Sequence, residues 1–330
     1  MNQTPSHVFI GGHRKCGTTL LLSLLDNHPD LVTYPMDIHV FYAYYPTYTH
    51  GNYSNEERLE RLDQVIFRNM QKIWTEKGWS GRLDIGAMRK KFFELAHNID
   101  LSNIKNVIDA QVEAFKITTC GLKNNTSPLV IKETSIEIYA NYILEKFPRS
   151  KFIHVIRDPR DNYAALKSGL SKRYKNFNDS ANTIIMSMIN RCGLGMRMAA
   201  INKNKFKNRY MILRHEDTVA DKKNQMKKIA EFIKIKYDNT MTQPTVMGLP
   251  TTGNNFDGID MSTVKSININ RWKERITEEE AQIIEFYFGN EMTQYGYELA
   301  HNLRSQSIAA SKFYEWSNYK YFYFDHFEKL

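Results

Sequence analysis

The chain has 330 residues, of which 45 are Lys or Arg and 36 are Asp or Glu, so its formal net charge is +9. Hydrophobic residues make up 42% and charged residues 25%, which is the composition of a folded globular protein and excludes a collagen, a disordered tail and a coiled coil. The length suffices for one large α/β domain or two small ones. The modest positive charge favours an anionic ligand and gives no argument for nucleic acid.

The sequence shows no signal for a membrane span or a disulfide framework. No apolar run approaches the roughly 20 residues that cross a bilayer, and the first residues lack the features of a signal peptide. Cys16, Cys120 and Cys192 are far apart and form no metal-type pair. We expect a cytoplasmic protein without a transmembrane segment, although a lumenal domain separated from its anchor would have the same features.

Short β-branched or aromatic runs alternate with longer helical patterns, as in a parallel sheet with crossover helices. The predicted strands are His7–Ile10, Leu31–Tyr34, Leu129–Lys132, Lys151–Ile156 and Arg209–Leu213. The predicted helices are Thr18–Asn27, Glu56–Lys77, Ile136–Phe147, Arg160–Ser168, Ser180–Asn202 and Lys222–Ile233, with another that opens at a capping box on Thr277. We predict a single α/β domain over residues 1–330.

Two segments stand apart from this alternation. The block at about residues 55–115 separates the first strands from the later ones, and we predict a helical insertion or lid there. The segment 305–330 is rich in Tyr and Phe. The sequence leaves three interpretations of it: a helix that covers the core, a dimer contact, or a membrane-surface patch.

The first predicted strand, HVFIGG, runs into the loop HRKCGTT and an apolar helix. This geometry directs backbone N–H groups and a helix dipole at an anion. Gly17 permits close approach of the backbone, and Arg14 and Lys15 add positive charge. Thr18 and Thr19 can cap the helix and donate hydroxyl hydrogen bonds. A plain strand–helix turn capped by Thr18 is the alternative.

The loop departs from the P-loop of nucleotide triphosphatases. Gly12 and Gly17 have its G-x-x-x-x-G spacing, but Thr18 stands where a lysine should follow. The lysine of this chain, Lys15, comes two residues before the second glycine, which argues against ordinary Mg-ATP hydrolysis. The run RKCGTTLL instead resembles the 5′-phosphosulfate loop of sulfotransferases that use PAPS (3′-phosphoadenosine 5′-phosphosulfate).

A second motif, RDPRD, follows the predicted strand KFIHVI. An arginine at the carboxyl end of a central strand lies where α/β sheets bind ligands, and the planar fork of Arg157 suits bidentate phosphate binding. The alternative is structural: Asp158 and Asp161 cap the helix, Pro159 begins it, and Arg157 forms an ion pair.

This segment also resembles the sulfotransferase family, in which the arginine and a serine eight residues later bind the 3′-phosphate of the cofactor. The resemblance assigns Arg157 to that role. The serine position holds Ala165 in this chain, and Ser168, one helical turn on, is the substitute we consider.

Two later stretches extend the resemblance. YMILRHED is similar to a family strand that ends near the adenine, which puts His215 in the place of a stacking aromatic residue. The stretch from Lys265-Ser266 to RWK resembles the C-terminal cofactor loop, and a basic surface loop is its alternative. The resemblance implies a P-loop-like sulfotransferase fold, with a central parallel sheet flanked by helices. The cofactor-binding residues it implies are Arg14, Lys15, Cys16, Gly17, Thr18, Thr19, Arg157, Ser168, His215, Arg271, Trp272 and Lys273.

The resemblance further implies in-line transfer of a sulfuryl group from PAPS to a hydroxyl, less readily an amine, without a metal. Lys15 would offset the charge on the leaving 5′-phosphate. YPMDIHVF is similar to the pattern around a family general base, which puts Asp37 at the base position with His39 in reserve. The alternative is that Asp37 caps a helix and His39 packs among aromatics. Lys132 maps near a second catalytic lysine, unless Glu133 pairs with it.

The sequence indicates only the broad chemical class of the acceptor. Seven aromatic residues near the supposed base could line an acceptor pocket or pack in the core: Tyr34, Phe41, Tyr42, Tyr44, Tyr45, Tyr48 and Tyr53. We expect a small-molecule or glycan acceptor and no nucleic-acid partner. The sequence leaves open whether the chain forms a homodimer. The alternative functions are a P-loop kinase or nucleotide hydrolase, and a catalytically inactive nucleotide-binding relative.

Overall fold

The computed structural model describes residues 5–44, 52–77, 79, 81–119, 127–169, 181–251 and 269–317. Five strands form the central sheet: β1 (His7–Gly11), β2 (Val32–Asp37), β3 (Leu129–Lys132), β4 (Ser150–Ile156) and β5 (Tyr210–Arg214). They are parallel, in the order β2-β3-β1-β4-β5. All five predicted strands are confirmed, and the second continues to Asp37, beyond its predicted end. A short antiparallel pair, β6 (Thr245–Val246) and β7 (Leu249–Pro250), lies apart from the sheet.

Helices surround the sheet. In chain order they are α1 (Thr18–Leu25), α2 (Val40–Tyr44), α3 (Asn55–Leu62), α4 (Asn69–Glu76), α5 (Ile85–Ala96), α6 (Ile104–Thr118), α7 (Ala140–Lys146), α8 (Pro159–Lys167), α9 (Ala181–Met188), α10 (Leu194–Phe206), α11 (His215–Ala220), α12 (Lys222–Ile233), α13 (Trp272–Arg275), α14 (Glu278–Gln294) and α15 (Leu303–Ser317). The π-helical turns Asp63–Arg68 and Ile189–Gly193 lie within the two longest predicted helices, and 3₁₀ turns occupy Ile136–Tyr139, Lys207–Arg209 and Asn239–Thr242. The capping box predicted at Thr277 is present.

The sheet has a hydrophobic core on each face. Every residue of β3 and β4 is buried, which explains why their sequences are almost continuously apolar. Successive side chains of a strand point to opposite faces. Phe9 accordingly packs in the core that includes the helices of the 55–118 block, whereas Val8 and Ile10 pack in the core that includes α1 and α12.

The block predicted as an insertion is helical and shares a core with the sheet, and its role as a lid stays a prediction. At the other end of the described chain, α15 packs on α14, and Phe313 is buried between Tyr287 and Trp316. This part of the aromatic segment is therefore a helix over the core. Among the helices that the structure describes, none is long and apolar enough to cross a membrane.

The parallel register brings the carboxyl ends of the central strands to one edge. Ile10 pairs with Lys132, and Gly11 pairs with His154. The loops that follow β1, β3, β4 and β5 therefore open on the same edge, which is where ligands bind in open α/β sheets.

Candidate active site

The loop between β1 and α1, residues 12–17, turns sharply at the carboxyl edge of the sheet. Gly17 has a φ of 105° and Lys15 a φ of 67°, both in the left-handed region. Helix α1 begins at Thr18 with Gly17 as its N-cap, and no side chain caps it. The expected threonine cap is therefore wrong. The first turn presents backbone N–H groups of the kind that bind anions at helix N-termini.

Side-chain exposure varies along this loop. Arg14, Lys15 and Thr19 are partly exposed, whereas Cys16 is 2% exposed and Thr18 4% exposed. Burial raises the pKa of the Cys16 thiol well above its ordinary value, so the thiol stays neutral. Of the loop residues predicted to bind a cofactor, Cys16 and Thr18 are thus placed to contribute mainly their backbone.

The segment after β4 is hydrogen-bonded to this loop. Arg157 Nη1 donates to the carbonyl of Lys15 at 2.9 Å, and Asn162 Nδ2 donates to the carbonyl of Arg14 at 2.6 Å. Asp158 caps α8, with a proline in its first turn, as the structural alternative predicts. The segment therefore builds a helix start and places a guanidinium on the loop, and phosphate binding by Arg157 stays a prediction.

His215, at the start of α11, lies against the turn of the same loop. A Cβ on Gly17 would come within 2.3 Å of His215 Nδ1, so the two residues are in direct contact. Burial, together with the charge of nearby Arg157, lowers the pKa of His215 to about 3, and the ring is neutral. His215 thus supports the loop, and its stacking on an adenine stays a prediction.

The turn that precedes α13 is held against α8. Asp161 accepts hydrogen bonds from the backbone N–H groups of Asn270 at 2.7 Å and Trp272 at 2.9 Å. The guanidinium carbon of Arg160 lies 4.2 Å from the centre of the Trp272 ring, within the range of a cation–π contact. These contacts bring the described part of the predicted C-terminal cofactor loop, residues 269–273, next to the RDPRD segment.

The predicted 3′-phosphate residues differ in placement. Arg271 is partly exposed, Lys273 is exposed, and Trp272 is buried against α8. Ser168 follows the last residue of α8, about 13 Å along the helix from its first turn, and its hydroxyl donates to the carbonyl of Ala165 at 3.0 Å. Ser168 therefore lies at the other end of α8 from Arg157, and its role at the 3′-phosphate stays a prediction. Lys265 and Ser266 lie outside the described residues.

The carboxylate of Asp37, at the end of β2, is held by the last residue of β3 and by Thr134 just beyond it. It accepts from Lys132 Nζ at 2.6 Å, from the Thr134 N–H at 2.8 Å and from the Thr134 hydroxyl at 3.2 Å. Burial alone would raise the pKa of Asp37, but attraction to Lys132 and these hydrogen bonds hold it below its ordinary value. Asp37 is therefore an ionised, strongly engaged carboxylate.

Glu133 has a different partner from the one expected. Its carboxyl group accepts from the N–H groups of Phe41 at 3.2 Å and Tyr42 at 2.6 Å, in the first turn of α2. The pairing of Glu133 with Lys132 is therefore wrong, because Lys132 pairs with Asp37. The alternative in which Asp37 caps α2 is wrong for the same reason, since Glu133 fills that place.

His39 lies between these elements with a left-handed φ of 57°. Its Nε2 is 3.4 Å from the side-chain amide of Asn69, and its ring is 6.1 Å from that of Tyr42. Burial lowers the pKa of His39 below its ordinary value, although attraction to Asp37 opposes this change. A neutral imidazole therefore lies near an ionised carboxylate.

Comparison with known proteins decides the family. The profile of the sulfotransferase family matches residues 5–239, which is more than half of the chain. The chain belongs to the sulfotransferase family. Protein-tyrosine sulfotransferase A of Caenorhabditis elegans is 24% identical over 296 residues, which cover 84% of this chain and 64% of that protein. The chain therefore matches less than two thirds of that relative's length.

Solved structures show the same fold. The sulfotransferase domain of the curacin biosynthetic pathway superposes with a TM-score of 0.52 at 19% identity, covering 90% of this chain and 99% of that domain. The sulfotransferase domain of the Synechococcus PCC 7002 olefin synthase superposes with a TM-score of 0.50 at 18% identity, covering 95% and 98% respectively. The predicted P-loop-like sulfotransferase fold is confirmed.

In this member of the family, sequence reasoning missed two residues that shape the candidate site. Asn162 ties α8 to the phosphate loop, and Thr134 holds the carboxylate of Asp37. Nothing in the local sequence marks either one, because their partners are 148 and 97 positions away. Within the described part of the chain, no cluster of three or more His, Cys, Asp or Glu side chains is arranged to hold a metal ion.

The aromatic residues near Asp37 are mainly structural. Tyr34, Phe41 and Tyr44 are buried in the core, whereas Tyr42 is 62% exposed and Tyr53 is partly exposed. Tyr45 and Tyr48 lie outside the described residues. Of the described members of the predicted aromatic wall, Tyr42 is the one most open to an acceptor.

The contact between Gly17 and His215 predicts a position-specific effect of a single methyl group. Gly17→Ala combines a left-handed backbone with a clash at 2.3 Å, so we expect the free energy of unfolding in urea to fall by roughly 3 kcal/mol or more. Gly81→Ala is the matched control, because Gly81 has a φ of 97° with no atom within 4 Å of the added Cβ. In Gly81→Ala the free energy of unfolding should fall by only about 1–2 kcal/mol. Equal losses in the two variants would show that His215 does not restrict this turn.

Proposed function

We propose that this sulfotransferase transfers the sulfuryl group of PAPS to a hydroxyl acceptor and releases adenosine 3′,5′-bisphosphate. The observation that carries the proposal is the 2.9 Å hydrogen bond from Arg157 to the carbonyl of Lys15. It joins the two segments that resemble the 5′- and 3′-phosphate sites of the family into one surface, as a ligand phosphorylated at both positions requires.

The residues present fit such a donor. The uncapped N-terminus of α1 offers backbone N–H groups to the 5′-phosphate, and Gly17 leaves no Cβ to obstruct its approach. Lys15 is partly exposed on the same loop and supplies positive charge where the leaving phosphate becomes more negative. Arg157, with Arg271 and Lys273 at the start of α13, provides cations for the 3′-phosphate.

The groups around Asp37 suit the acceptor side, with a revised division of roles. Asp37 already accepts hydrogen bonds from Lys132 and Thr134, so taking a proton would cost it the ion pair. His39 is neutral, and the long contact of 3.4 Å between its Nε2 and the Asn69 amide is one that an acceptor hydroxyl can displace to reach the lone pair of Nε2. We assign His39 as the proton acceptor, with Asp37 holding Lys132 near the reacting sulfuryl group.

The chemistry is then a displacement at sulfur. The acceptor oxygen forms a bond to sulfur, the bond from sulfur to the 5′-phosphate oxygen breaks, and the acceptor proton passes to His39 Nε2. The acceptor classes to test are a pyranoside, a simple alcohol and a phenol. The phenol is included because one relative is a protein-tyrosine sulfotransferase.

Calorimetric titration with adenosine 3′,5′-bisphosphate in the presence of EDTA tests donor binding directly. We expect saturable one-to-one binding, and no comparable binding of Mg-ATP. Transfer of radiolabelled sulfate from PAPS to the acceptor panel then tests catalysis. Absence of nucleotide binding would contradict the proposal. Binding without transfer to any acceptor would support the catalytically inactive alternative instead.

Variants of Lys15 test its role at the leaving group. Because Lys15 has a φ of 67°, Lys15→Gly removes the charge without adding backbone strain. We expect kcat to fall by about 100-fold and the affinity for adenosine 3′,5′-bisphosphate by only about tenfold, since the charge on the phosphate grows in the transition state. Lys15→Arg, which keeps the charge, should retain most of the affinity. An unchanged kcat in Lys15→Gly would exclude this role.

A further inference from the structure

A small cavity lies beneath the phosphate loop, and Arg157 of the proposed donor site is part of its lining. It has room for about one water molecule. Its polar lining includes the side chains of His13, Cys16, Glu137, His154, Asn162 and Cys192. None of these side chains except Cys16 was assigned a role from the sequence.

The hydrogen bonds of His13 fix its tautomer. Asn162 Nδ2 donates to the carbonyl of Arg14, so the amide oxygen of Asn162 is the atom that faces His13 Nδ1 at 2.8 Å. His13 Nδ1 must therefore carry the hydrogen, and Nε2 is left as an acceptor. That Nε2 is buried and has no partner in the structure. Burial, reinforced by the charge of Arg14, lowers the pKa of His13 to about 3, so the ring does not become a donor at neutral pH.

Glu137 supplies the complementary group. Its side chain is 1% exposed, and neither carboxyl oxygen makes a regular hydrogen bond. The nearest donors are its own backbone N–H and that of Gly12, on the phosphate loop, and together they offset only part of the burial. Burial raises the pKa of Glu137 to about 7. A protonated carboxyl group in this place has an O–H to donate, and His13 Nε2 is the unsatisfied acceptor on the same cavity wall.

The surroundings of Glu137 favour the neutral form. Charged and titratable groups face it from each element packed around it: His13 and Cys16 on the loop, His154 on β4 with Arg157 just beyond it, Tyr210 on β5, and Arg191 and Cys192 in the π-helical turn before α10. The two histidines and the two thiols are neutral, so Arg191 and Arg157 are the cations among them. Arg157 is also directed to the loop through Lys15. On α10, Gly195 lies directly under the side chain, where an added Cβ would come within 2.8 Å of Glu137 Cγ.

We propose that Glu137 is a positioning residue that keeps a proton and donates a hydrogen bond, through a water molecule in the cavity, to His13 Nε2, so that anion binding on the loop is linked to proton uptake. The link between proton uptake and binding of the nucleotide rests on the function proposed above. Loss of the proton would leave a negative charge beneath the loop that receives the phosphates. The affinity for a phosphorylated ligand should therefore fall as the pH rises through the range in which Glu137 ionises.

Infrared difference spectroscopy on the protein without ligand tests the protonation itself. Between about pH 5.5 and about pH 9, the wild type should lose the C=O band of a buried carboxylic acid with a midpoint near neutrality, and E137Q should lack that component. E133Q is the matched control, because burial also raises the pKa of Glu133, to about 8. It should keep the Glu137 component and lose a later one. If the near-neutral component of the C=O band titrates in E137Q as it does in the wild type, the proposal is overturned. If E137Q does not fold, absence of that component from E133Q overturns it.

Calorimetry tests the linkage. At about pH 7.5, titration of adenosine 3′,5′-bisphosphate in two buffers of different ionisation enthalpy should show more proton uptake by the wild type than by E137Q. The wild type alone should lose about tenfold in affinity for each pH unit above the midpoint, because one proton is taken up. The ionisation of the ligand phosphates is common to both proteins and cancels. Equal uptake would overturn the linkage, whereas absence of binding in both proteins would contradict the proposed function and leave the infrared result to decide the protonation.

Discussion

Replacing Arg157 by alanine is expected to weaken the binding of adenosine 3′,5′-bisphosphate by about 100-fold, or roughly 3 kcal/mol. Two losses combine in this variant. The ligand loses a planar cation that suits bidentate phosphate binding, and the loop loses the donor that contacts the carbonyl of Lys15 at 2.9 Å. Isothermal titration calorimetry in EDTA gives the affinity, and thermal unfolding shows whether the variant is folded.

Two further variants separate charge, geometry and non-specific effects. Arg157→Lys keeps the positive charge but has no planar fork, so we expect a loss of about tenfold. Arg197→Ala is the matched control, because Arg197 is a half-exposed arginine paired with Glu291 across α10 and α14. It should bind the nucleotide like the wild type. If Arg157→Ala also binds like the wild type, the two segments do not share a ligand, and the proposed function loses its main support.

The strands, and the turns that lead from β1 and β4 into the next helices, are the parts that the sequence alone predicted well, and the reason is local. Buried parallel strands such as β3 and β4 are recognisable by continuous apolar runs, and the turn at Gly17 by a glycine between a strand and a helix. The placement of Asp158 as a cap likewise depends on residues two positions apart. Such features are set by neighbours in the chain, which a sequence displays directly.

The hydrogen bonds and ion pairs around Asp37 could not be predicted from the sequence, because they join residues that only the tertiary structure brings together. Whether Lys132 pairs with Glu133 or with Asp37 depends on how β2 is placed beside β3, since Asp37 is 95 residues away. Glu133 lies just beyond β3, where its carboxyl group reaches the start of α2 instead of Lys132. The error about the α1 cap has a local cause: a glycine in the left-handed region takes the N-cap position, and Thr18 becomes the first residue of the helix.

Removing the imidazole of His39 is expected to have the largest effect on catalysis. A general base contributes about 10²- to 10⁴-fold, so kcat for a responsive acceptor should fall within that range. His39→Gly is the suitable variant, because the φ of 57° at this position fits glycine without strain. The affinity for adenosine 3′,5′-bisphosphate should not change, and imidazole added to the buffer should restore part of the activity.

The pH dependence and Asp37→Asn distinguish His39 from the residue that the sequence placed first. Because burial lowers the pKa of His39, kcat/KM of the wild type should stay on its plateau down to a pH below 6.5 and fall only as the imidazole is protonated. Asp37→Asn removes the attraction that opposes this shift, so the acid limb should move to still lower pH. It also deprives the buried Lys132 of its partner, so thermal stability should fall as well. A folded Asp37→Asn variant without activity, beside an active His39→Gly variant, would return the role of base to Asp37.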